Sequence, residues 1–487
     1  MAESLTSKTL RAMSWTFLEA VGLRITQLVV AVVLAWLLEV EEFGLIGMLA
    51  VFIAVAQSLL DSGFGAALIQ KREISHVDTC SIFYFNIAAG IVAAGLLCLA
   101  SPWIADFYEQ PMLVPLARAL SAVIVINSFA LVQTSVLTRE LNFKLLTKAN
   151  LVARFFSGII AVSLAALGFG VWSLVLQQIS NALLVTLILW FANPWRPSLV
   201  FSFRALGAMF GFGSRVMASG VLAAIFDNIY GLVIGKLFSA RDLGFFSQAK
   251  KVQELPVQSL SWTVGRVTFP VFSSIQDDRE RVKRGLHRVL TSLAFLNFPV
   301  MAGILVTARP LVGLLLREKW LPCVPYLQIL CVLGLLYPMN WFNVNVLYSL
   351  GRSDLCFRLE IIKRILVVAA IAISYRWGIT AMIWGQVVVS FLSYWLNGYY
   401  NGVLIGYPVR EQLRDLLPYV MAPVLMGLGV YLIGEVPLMN AWGRLLTQIF
   451  TGIVLYAVLS WLLRLPRFFE MVQIIGGKVR SLGPRRA

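Results

Sequence analysis

The residues of this sequence that could do chemistry are charged side chains inside long apolar runs. Charges at membrane depth are costly, so they rarely face lipid and instead line a cavity or pair with one another. The candidates are Glu19, Arg24, Asp61, Arg154, Arg215, Asp227, Lys250, Lys251, Glu254, Arg266, Glu360, Lys363 and Arg364. So many ionisable residues within apolar runs predict an internal polar surface and argue against a purely structural scaffold.

The basic candidates suit an anionic head group, because the arginine guanidinium grips phosphate in a bidentate manner. We expect a cationic cavity lined by Arg24, Arg215, Lys250, Lys251, Arg154 and Arg364. A structural alternative stays open for some of them. Glu360 with Arg364, and Lys250 with Glu254, stand four residues apart and could neutralise each other on a helix. Lys363 and Arg364 could also extend to the membrane surface.

Three acidic candidates, Asp61, Asp227 and Glu254, could bind a coupling ion, either H⁺ or Na⁺. Asp61 precedes Ser62-Gly63-Phe64-Gly65, where a helix break is expected, so it either caps a helix terminus or binds the ion. Asp227 lies about 18 Å along one helix from Arg215, too far for the two to pair. Asp227 is therefore either an ion site or the partner of a buried arginine from another segment.

The elements that must position these residues are membrane helices. The chain has 487 residues, 59% of them hydrophobic, and a mean hydropathy of +0.82, which is too apolar for a water-soluble core. Its apolar runs reach about 20 residues, the length of a membrane-spanning helix, whereas a membrane barrel would show short alternating segments. The sequence therefore predicts an all-α integral membrane protein.

Hydropathy predicts about fourteen transmembrane helices. They are expected near 11–38, 43–69, 79–100, 112–137, 144–167, 171–191, 206–237, 243–273, 287–307, 322–349, 357–376, 379–405, 413–434 and 443–463. The charged segment Gln276–Arg288 is expected to be a short amphipathic connection at the inner surface. An even number of spans places both termini on the same side of the membrane.

The net charge of +16 follows from the membrane topology and does not indicate a nucleic-acid partner. Lysine and arginine collect in alternate loops, as in Arg139–Lys148 and Arg279–Arg288, and again in the tail beyond Leu463. Positive residues gather on the cytoplasmic side of membrane proteins. Both termini are therefore expected to be cytoplasmic in a multi-pass plasma-membrane protein.

Segments of the first half recur in the second half. Leu34–Gly44 resembles Ile234–Gly244, Val114–Leu120 resembles Val324–Leu330, and Gly170–Gln178 resembles Gly378–Gln386. Six spans separate the copies, so they have the same orientation and form parallel repeats. We predict two six-helix lobes at 1–204 and 205–405, an added helix pair at 406–463 and a basic cytoplasmic tail at 464–487. Such repeats place a substrate site between the lobes and work by alternating access.

Motifs for catalysis, ATP use or metal binding are missing from the sequence. There is no Walker A motif, the five cysteines lack metal-ligand spacing, and His76 and His287 lie far apart. We therefore expect a transporter and not an enzyme, with no cofactor. Energy would come from H⁺ or Na⁺ counterflow or from the membrane potential.

Several motifs resemble one transporter family. They are Asp61–Gly65, Ile69–His76, Phe269–Asp278, and Glu318–Trp320 followed by Leu327–Leu336. Together they resemble the Wzx-type lipid-linked oligosaccharide flippases, in particular the colanic-acid-exporter branch of the multidrug/oligosaccharidyl-lipid/polysaccharide (MOP) superfamily. The resemblance extends at least to about Leu404.

The resemblance implies a MATE-like fold of fourteen spans in the bacterial inner membrane. It implies that the protein moves undecaprenyl-diphosphate-linked repeat units from the cytoplasmic to the periplasmic leaflet, for exopolysaccharide, capsule or lipopolysaccharide synthesis. By position in the spans, it assigns the diphosphate contacts to Arg24, Arg215, Lys250 and Lys251. A polysaccharide polymerase and chain-length machinery are the expected protein partners.

Two rival functions remain. A cation-coupled, MATE-like exporter of small molecules would need an acidic, aromatic cavity. The excess of lysine and arginine over acidic residues argues against this function. A membrane glycosyltransferase or polymerase would need a large outward loop with catalytic carboxylates. The longest outward loop here, Ala308–Pro322, has about 15 residues and no such pair.

Overall fold

A computed structural model describes residue 22 and residues 26–61, 63–71, 74–434 and 440–473. Every regular element in these ranges is helical, which confirms the all-α prediction. The helices are α1 (Thr26–Leu37), α2 (Val40–Asp61), α3 (Phe64–Gln70), α4 (His76–Tyr108), α5 (Leu113–Arg139), α6 (Phe143–Ala166), α7 (Val171–Ala192), α8 (Phe203–Leu237), α9 (Ala240–Ser274), α10 (Arg279–Leu316), α11 (Val324–Ser349), α12 (Ser353–Ser374), α13 (Gly378–Ile405), α14 (Val409–Gly434) and α15 (Ala441–Leu462). Short 3₁₀ helices cover Glu318–Cys323 and Tyr375–Trp377.

Ten of the described helices are long and apolar enough to cross a membrane. Among them are α2, α4 to α7 and the Gly213–Leu237 part of α8, each with a mean hydropathy of 1.6 or more over its most apolar stretch. Helices α9, α12 and α13 fall outside this set. The chain is thus a multi-pass membrane protein, and the count of fourteen spans stays a prediction.

The chain divides into two compact units, Met1–Ser247 and Gln248–Ala487. This division differs from the predicted lobe boundary at 204/205, because α8 packs against α2, α3 and α4 of the first unit. The lobes predicted from the repeats, together with the helix pair and the tail, stay a prediction.

In the first unit, two glycines of the predicted repeat form a reciprocal contact. A Cβ on Gly44 would overlap the backbone of Ala240, and a Cβ on Gly244 would overlap the backbone of Val40. The partners of each contact are related by the same offset of 200 residues. A twofold relation between the repeats would produce this pattern, and the absence of side chains lets the backbones touch.

A break separates α2 from α3, as the sequence predicted. Helix α2 ends at Asp61, and α3 begins at Phe64 after Gly63, which has φ +68°. Glycine adopts this left-handed conformation without the steric cost that a Cβ adds. The break turns the chain so that α3 packs against α5 and α8.

In the second unit, α10 begins at Arg279, so most of Gln276–Arg288, which we expected to be a short connection, belongs to this helix. The Asp278 carboxylate accepts a hydrogen bond of 3.0 Å from the Arg281 amide and caps the helix. Such an N-cap supplies one of the partners that the first amides of a helix lack. The charged segment is therefore the first turns of the long helix α10, which packs against α11, α14 and α15.

A buried network of amide side chains joins α11, α13 and α14. The Gln412 side chain exchanges hydrogen bonds with Asn343, and Asn401 donates to the Asn343 side chain at 2.6 Å. The Tyr394 hydroxyl donates to Gln412 at 2.9 Å. Buried polar groups need such partners because leaving them unpaired costs the full desolvation penalty. The network fixes α14, the first helix of the predicted extra pair, to the preceding helices.

Candidate functional site

A cavity of about 480 Å³ with several polar lining residues lies within the first unit. It is lined by the end of α2, the start of α3, and parts of α5, α7 and α8. On α5 the lining residues Asn127, Ala130, Leu131, Thr134 and Ser135 follow the spacing i, i+3, i+4, i+7, i+8, which places them on one helix face. One face of α5 therefore forms a wall of the cavity.

Asp61, at the C-terminal end of α2, lines this cavity. The Gln57 side chain, one turn earlier, hydrogen-bonds to the Asp61 carboxyl. The Gln57 amide oxygen in turn accepts a hydrogen bond of 3.2 Å from Asn127. The C-terminal end of a helix carries partial negative charge, and a carboxylate there adds to it. Asp61 thus places an acidic group at one end of the cavity.

The hydroxyl groups of the cavity wall act as acceptors. Ser58 donates to the Ala54 carbonyl at 2.9 Å, Thr134 to Ala130 at 3.0 Å, and Ser135 to Leu131 at 3.0 Å. Each hydroxyl has one hydrogen to donate, and these bonds use it. Their remaining lone pairs suit a cation or the hydroxyl hydrogens of a ligand.

Asp61 does not cap α3, the helix that follows it. The N-cap residue of α3 is Gly63, and no side chain makes a capping hydrogen bond there. Asp61 ends α2, where unpaired groups are carbonyl oxygens that a carboxylate cannot satisfy. A role for Asp61 as an ion site stays a prediction.

The cavity does not contain the predicted basic residues. Arg24 lies outside the described residues. Arg154 on α6 is half-buried. Arg215 and Asp227 on α8 are exposed on the surface of the chain. Val216 and Met217 line the cavity, but the neighbouring Arg215 does not. Among the described residues of the first unit, neither Arg154 nor Arg215 lines the acceptor-rich cavity.

The basic candidates of the second unit form the local pairs that the structural alternative describes. Lys250 lies 3.7 Å from Glu254, and Arg364 lies 2.6 Å from Glu360. Lys251 on α9 is exposed from the protein. All four side chains are partly buried, and each pair joins neighbouring turns of one helix. A role for these residues in binding a diphosphate stays a prediction.

Sequence reasoning missed the uncharged half of the cavity. Gln57, Asn127, Thr134 and Ser135 carry no charge, so the search for ionisable residues passed over them. A signal did exist: Asn127, Thr134 and Ser135 are polar residues at helical spacing inside an apolar span. Polar residues on one face of a membrane helix indicate a surface that faces water, protein or ligand.

The fold is shared with two solved transporter structures. The lipid II flippase MurJ in an inward closed conformation superposes with a TM-score of 0.74 at 15% identity, covering 93% of this chain and 98% of MurJ. An inward-facing multidrug resistance MATE transporter superposes with a TM-score of 0.63 at 16% identity, covering 78% of this chain and 95% of the transporter. These similarities establish the MATE-like fold class predicted from the sequence.

The chain belongs to the polysaccharide biosynthesis protein family, whose sequence profile matches residues 33–325. It is similar to the lipopolysaccharide biosynthesis protein WzxC of Escherichia coli, 29% identical over 89% of this chain and 90% of WzxC. The teichuronic acid biosynthesis protein TuaB of Bacillus subtilis is 28% identical, covering 94% of this chain and 96% of TuaB. The succinoglycan biosynthesis transport protein ExoT of Rhizobium meliloti is 28% identical over 94% of both chains.

Proposed function

We propose that this protein flips undecaprenyl-diphosphate-linked oligosaccharide repeat units from the cytoplasmic to the periplasmic leaflet of the bacterial inner membrane. The observation that carries the proposal is that sequence relatives and a solved flippase structure each match nearly the whole chain. WzxC, TuaB and ExoT are named for the synthesis or transport of cell-surface polysaccharides and match about nine-tenths of the chain or more. MurJ, named as a lipid II flippase, shares the fold over 93% of the chain.

The physical task explains the charged residues inside the spans. A diphosphate-sugar head group cannot cross about 30 Å of hydrocarbon unaided. Cationic side chains replace its hydration shell while the lipid tail stays in the bilayer. We assign the diphosphate to Arg215, Lys250 and Lys251, and Arg24, Arg154 and Arg364 complete the proposed set. Alternating access between the two repeats then releases the head group on the opposite side.

Energy coupling is assigned to the acceptor-lined cavity of the first unit. Its wall offers the Asp61 carboxylate, which can take up a proton, and hydroxyl oxygens, which suit a hard cation such as Na⁺. Asp227 and Glu254 are further candidate ion sites. The membrane potential, worth about 2.3 kcal/mol per charge per 100 mV, is the alternative driving force. Polymerisation of the flipped repeat units by a polymerase with its chain-length machinery removes product and pulls the flux.

The proposed topology follows from the loops. Lysine and arginine concentrate in the loops that share a side with both termini, so both termini are assigned to the cytoplasm. With this orientation, the end of α2 that carries Asp61 lies near the cytoplasmic surface. The cavity would then meet the inner leaflet, from which the substrate is taken.

A test of the flippase function uses a strain that lacks the gene. Its lipid extract is analysed by mass spectrometry for undecaprenyl-diphosphate-linked glycans, and an impermeant reagent on spheroplasts reports their leaflet. We expect a complete repeat unit to accumulate on the inner leaflet and to be cleared by the wild-type gene. Normal polymer without accumulation would contradict the proposal.

A second candidate function is a cation-coupled exporter of small molecules. The observation that favours it is the acidic, acceptor-lined cavity around Asp61 in a chain with the fold of a MATE transporter. The same strain separates the two functions. An exporter predicts raised sensitivity to toxic cations with normal polysaccharide, whereas a flippase predicts the reverse.

A further inference from the structure

A long apolar cavity of about 600 Å³ lies in the second unit, and its lining includes none of the described residues assigned to transport. Helices α10, α14 and α15 line it, together with the helical segment 466–473. On α10 its lining extends from Phe295 to Leu311, about 24 Å at the rise of an α-helix. This length covers most of the roughly 30 Å of hydrocarbon in a bilayer.

The polar groups on its wall are directed into the protein. The Tyr456 hydroxyl donates to the Phe295 carbonyl at 2.7 Å, and the Gln448 amide donates to the Val430 carbonyl at 3.3 Å. The Thr307 hydroxyl donates to its own helix. The cavity therefore presents an almost entirely apolar surface, which fits a hydrocarbon chain and not an ion or a sugar.

One end of this cavity carries a cluster of positive charge. Arg467 and Arg288 share the Glu470 carboxylate, at 2.7 Å and 3.3 Å, which leaves a net positive charge. Arg284 is exposed one turn before Arg288 on the same helix. Phe468, beside Arg467, lines the cavity itself. The apolar wall and the basic end thus belong to one continuous surface.

We propose that this surface binds an anionic phospholipid of the bilayer, with an acyl chain in the cavity and the phosphate at the exposed Arg284 and Arg288. Basic groups near the membrane surface attract anionic head groups. The basic end stays at one membrane surface, so it fits a lipid that remains in one leaflet. A transported lipid, whose head group must cross, would lose this contact. The proposal requires a membrane protein and does not depend on the flippase function.

Gly303 offers a way to fill the cavity without a clash. It lines the cavity on α10, and a Cβ built there meets no atom within 4 Å. Gly95 on α4 is also open, but it lies in the first unit, away from the cavity. Gly303→Leu and Gly95→Leu therefore add the same side chain inside and outside the proposed site.

The test measures lipid retention by native mass spectrometry after purification from bilayers with equal phosphatidylglycerol and phosphatidylethanolamine. We expect wild type and Gly95→Leu to retain phosphatidylglycerol. Gly303→Leu should retain at least tenfold less phosphatidylglycerol. Arg288→Gln should lower the preference for phosphatidylglycerol about fivefold, while Arg352→Gln, an exposed loop arginine, should not. Arg288→Gln leaves the cavity intact, so it tests the site even if Gly303→Leu fails to fold.

Two results would overturn the proposal. One is unchanged phosphatidylglycerol retention in Gly303→Leu and Arg288→Gln. The other is displacement of phosphatidylglycerol by an equal amount of undecaprenyl phosphate, which would assign the cavity to the tail of a polyprenyl lipid. Either result leaves the polysaccharide readout of the deletion strain untouched, so the two proposals fail separately.

Discussion

At the scale of single residues, Gly63 determines where the Asp61 carboxyl can lie. Its φ of +68° belongs to the left-handed region, and a Cβ there would lie 2.5 Å from the Gly213 carbonyl oxygen and 2.8 Å from Val216. Both the backbone conformation and the close approach to α8 require glycine. The turn that ends α2 at Asp61 therefore depends on one residue without a side chain.

Replacing Gly63 with alanine should destabilise the protein by about 1–3 kcal/mol, the cost of holding a side chain in a strained backbone conformation. Thermal unfolding of the detergent-solubilised protein measures the effect as a lower Tm. Gly95→Ala is the control, because its Cβ enters open space and alanine favours the helix. An unchanged Tm for Gly63→Ala would show that the turn adapts.

Glu470 makes a second prediction at this scale. A hydrogen bond from Arg467 lowers the pKa of its carboxyl below the ordinary value of 4.5, and Arg288 lowers it further. Because the folded pKa is depressed, this pairing stabilises the fold above about pH 4.5 and is lost as pH falls through the folded pKa. We expect a Tm decrease between about pH 5 and pH 3 that is smaller in Glu470→Gln.

The control for Glu470 is Glu318→Gln, which removes an exposed carboxylate of the same unit. That variant should keep the wild-type dependence of Tm on pH. Superimposable curves for wild type and Glu470→Gln would mean that the cluster at the end of α10 adds no stability.

At the scale of elements, helix crossings depend on small residues. Helices α2 and α9 meet where Gly44 lies on Ala240 and Gly244 lies on Val40. Small residues let helix backbones approach closely in a membrane, where packing replaces the hydrophobic driving force between helices. On α10, Gly303 has the opposite effect, because the open space beside it forms part of a cavity. Glycine therefore closes one interface and opens another.

Alanine at Gly44 or Gly244 should separate the two backbones and cost about 1–3 kcal/mol each, as overpacking does. The double variant should cost less than the sum, because the first substitution already separates the helices. Melting temperatures of both single variants and the double variant measure this, with Gly303→Ala as the control in open space. Additive or negligible losses would mean that the crossing is not a shared contact.

At the scale of the whole molecule, the charges inside the membrane decide what the fold can transport. MurJ and a MATE transporter share this fold, so the fold alone does not select a substrate. The acceptor-lined cavity of the first unit suits a cation, whereas exposed basic residues on α8 and α9 suit an anionic head group. Both features belong to the proposed cycle, in which a cation and a diphosphate lipid move by alternating access.

Arg215→Ala should abolish polysaccharide export while the protein still inserts in the membrane, because the diphosphate loses a cation that replaces its hydration. Polymer output and membrane abundance are measured in the complemented deletion strain. Arg215→Lys should recover part of the export by restoring the charge without the bidentate geometry. Arg358→Ala, an exposed arginine on α12, is the control. Normal output from Arg215→Ala would remove that residue from the site.

Local sequence patterns predicted those parts of the site that depend on neighbours along the chain. The break after Asp61 follows from Gly63 and Gly65, and the Lys250–Glu254 and Glu360–Arg364 pairs follow from a spacing of four residues. The cavity wall could not be predicted in the same way. Asn127 meets Gln57 across 70 residues of sequence, and no local pattern specifies which face of α5 turns towards α2.

The sequence by itself determined the membrane class and the all-helical fold, because apolar length and charge placement act through short-range chemistry. Only the tertiary structure decided that α8 packs with the first unit, that Asp61 lies in an acceptor-lined cavity, and that a basic cluster ends the apolar cavity beside α10. These features depend on which helix faces meet. Packing of side chains and glycines between distant segments selects those faces, and hydropathy leaves them open.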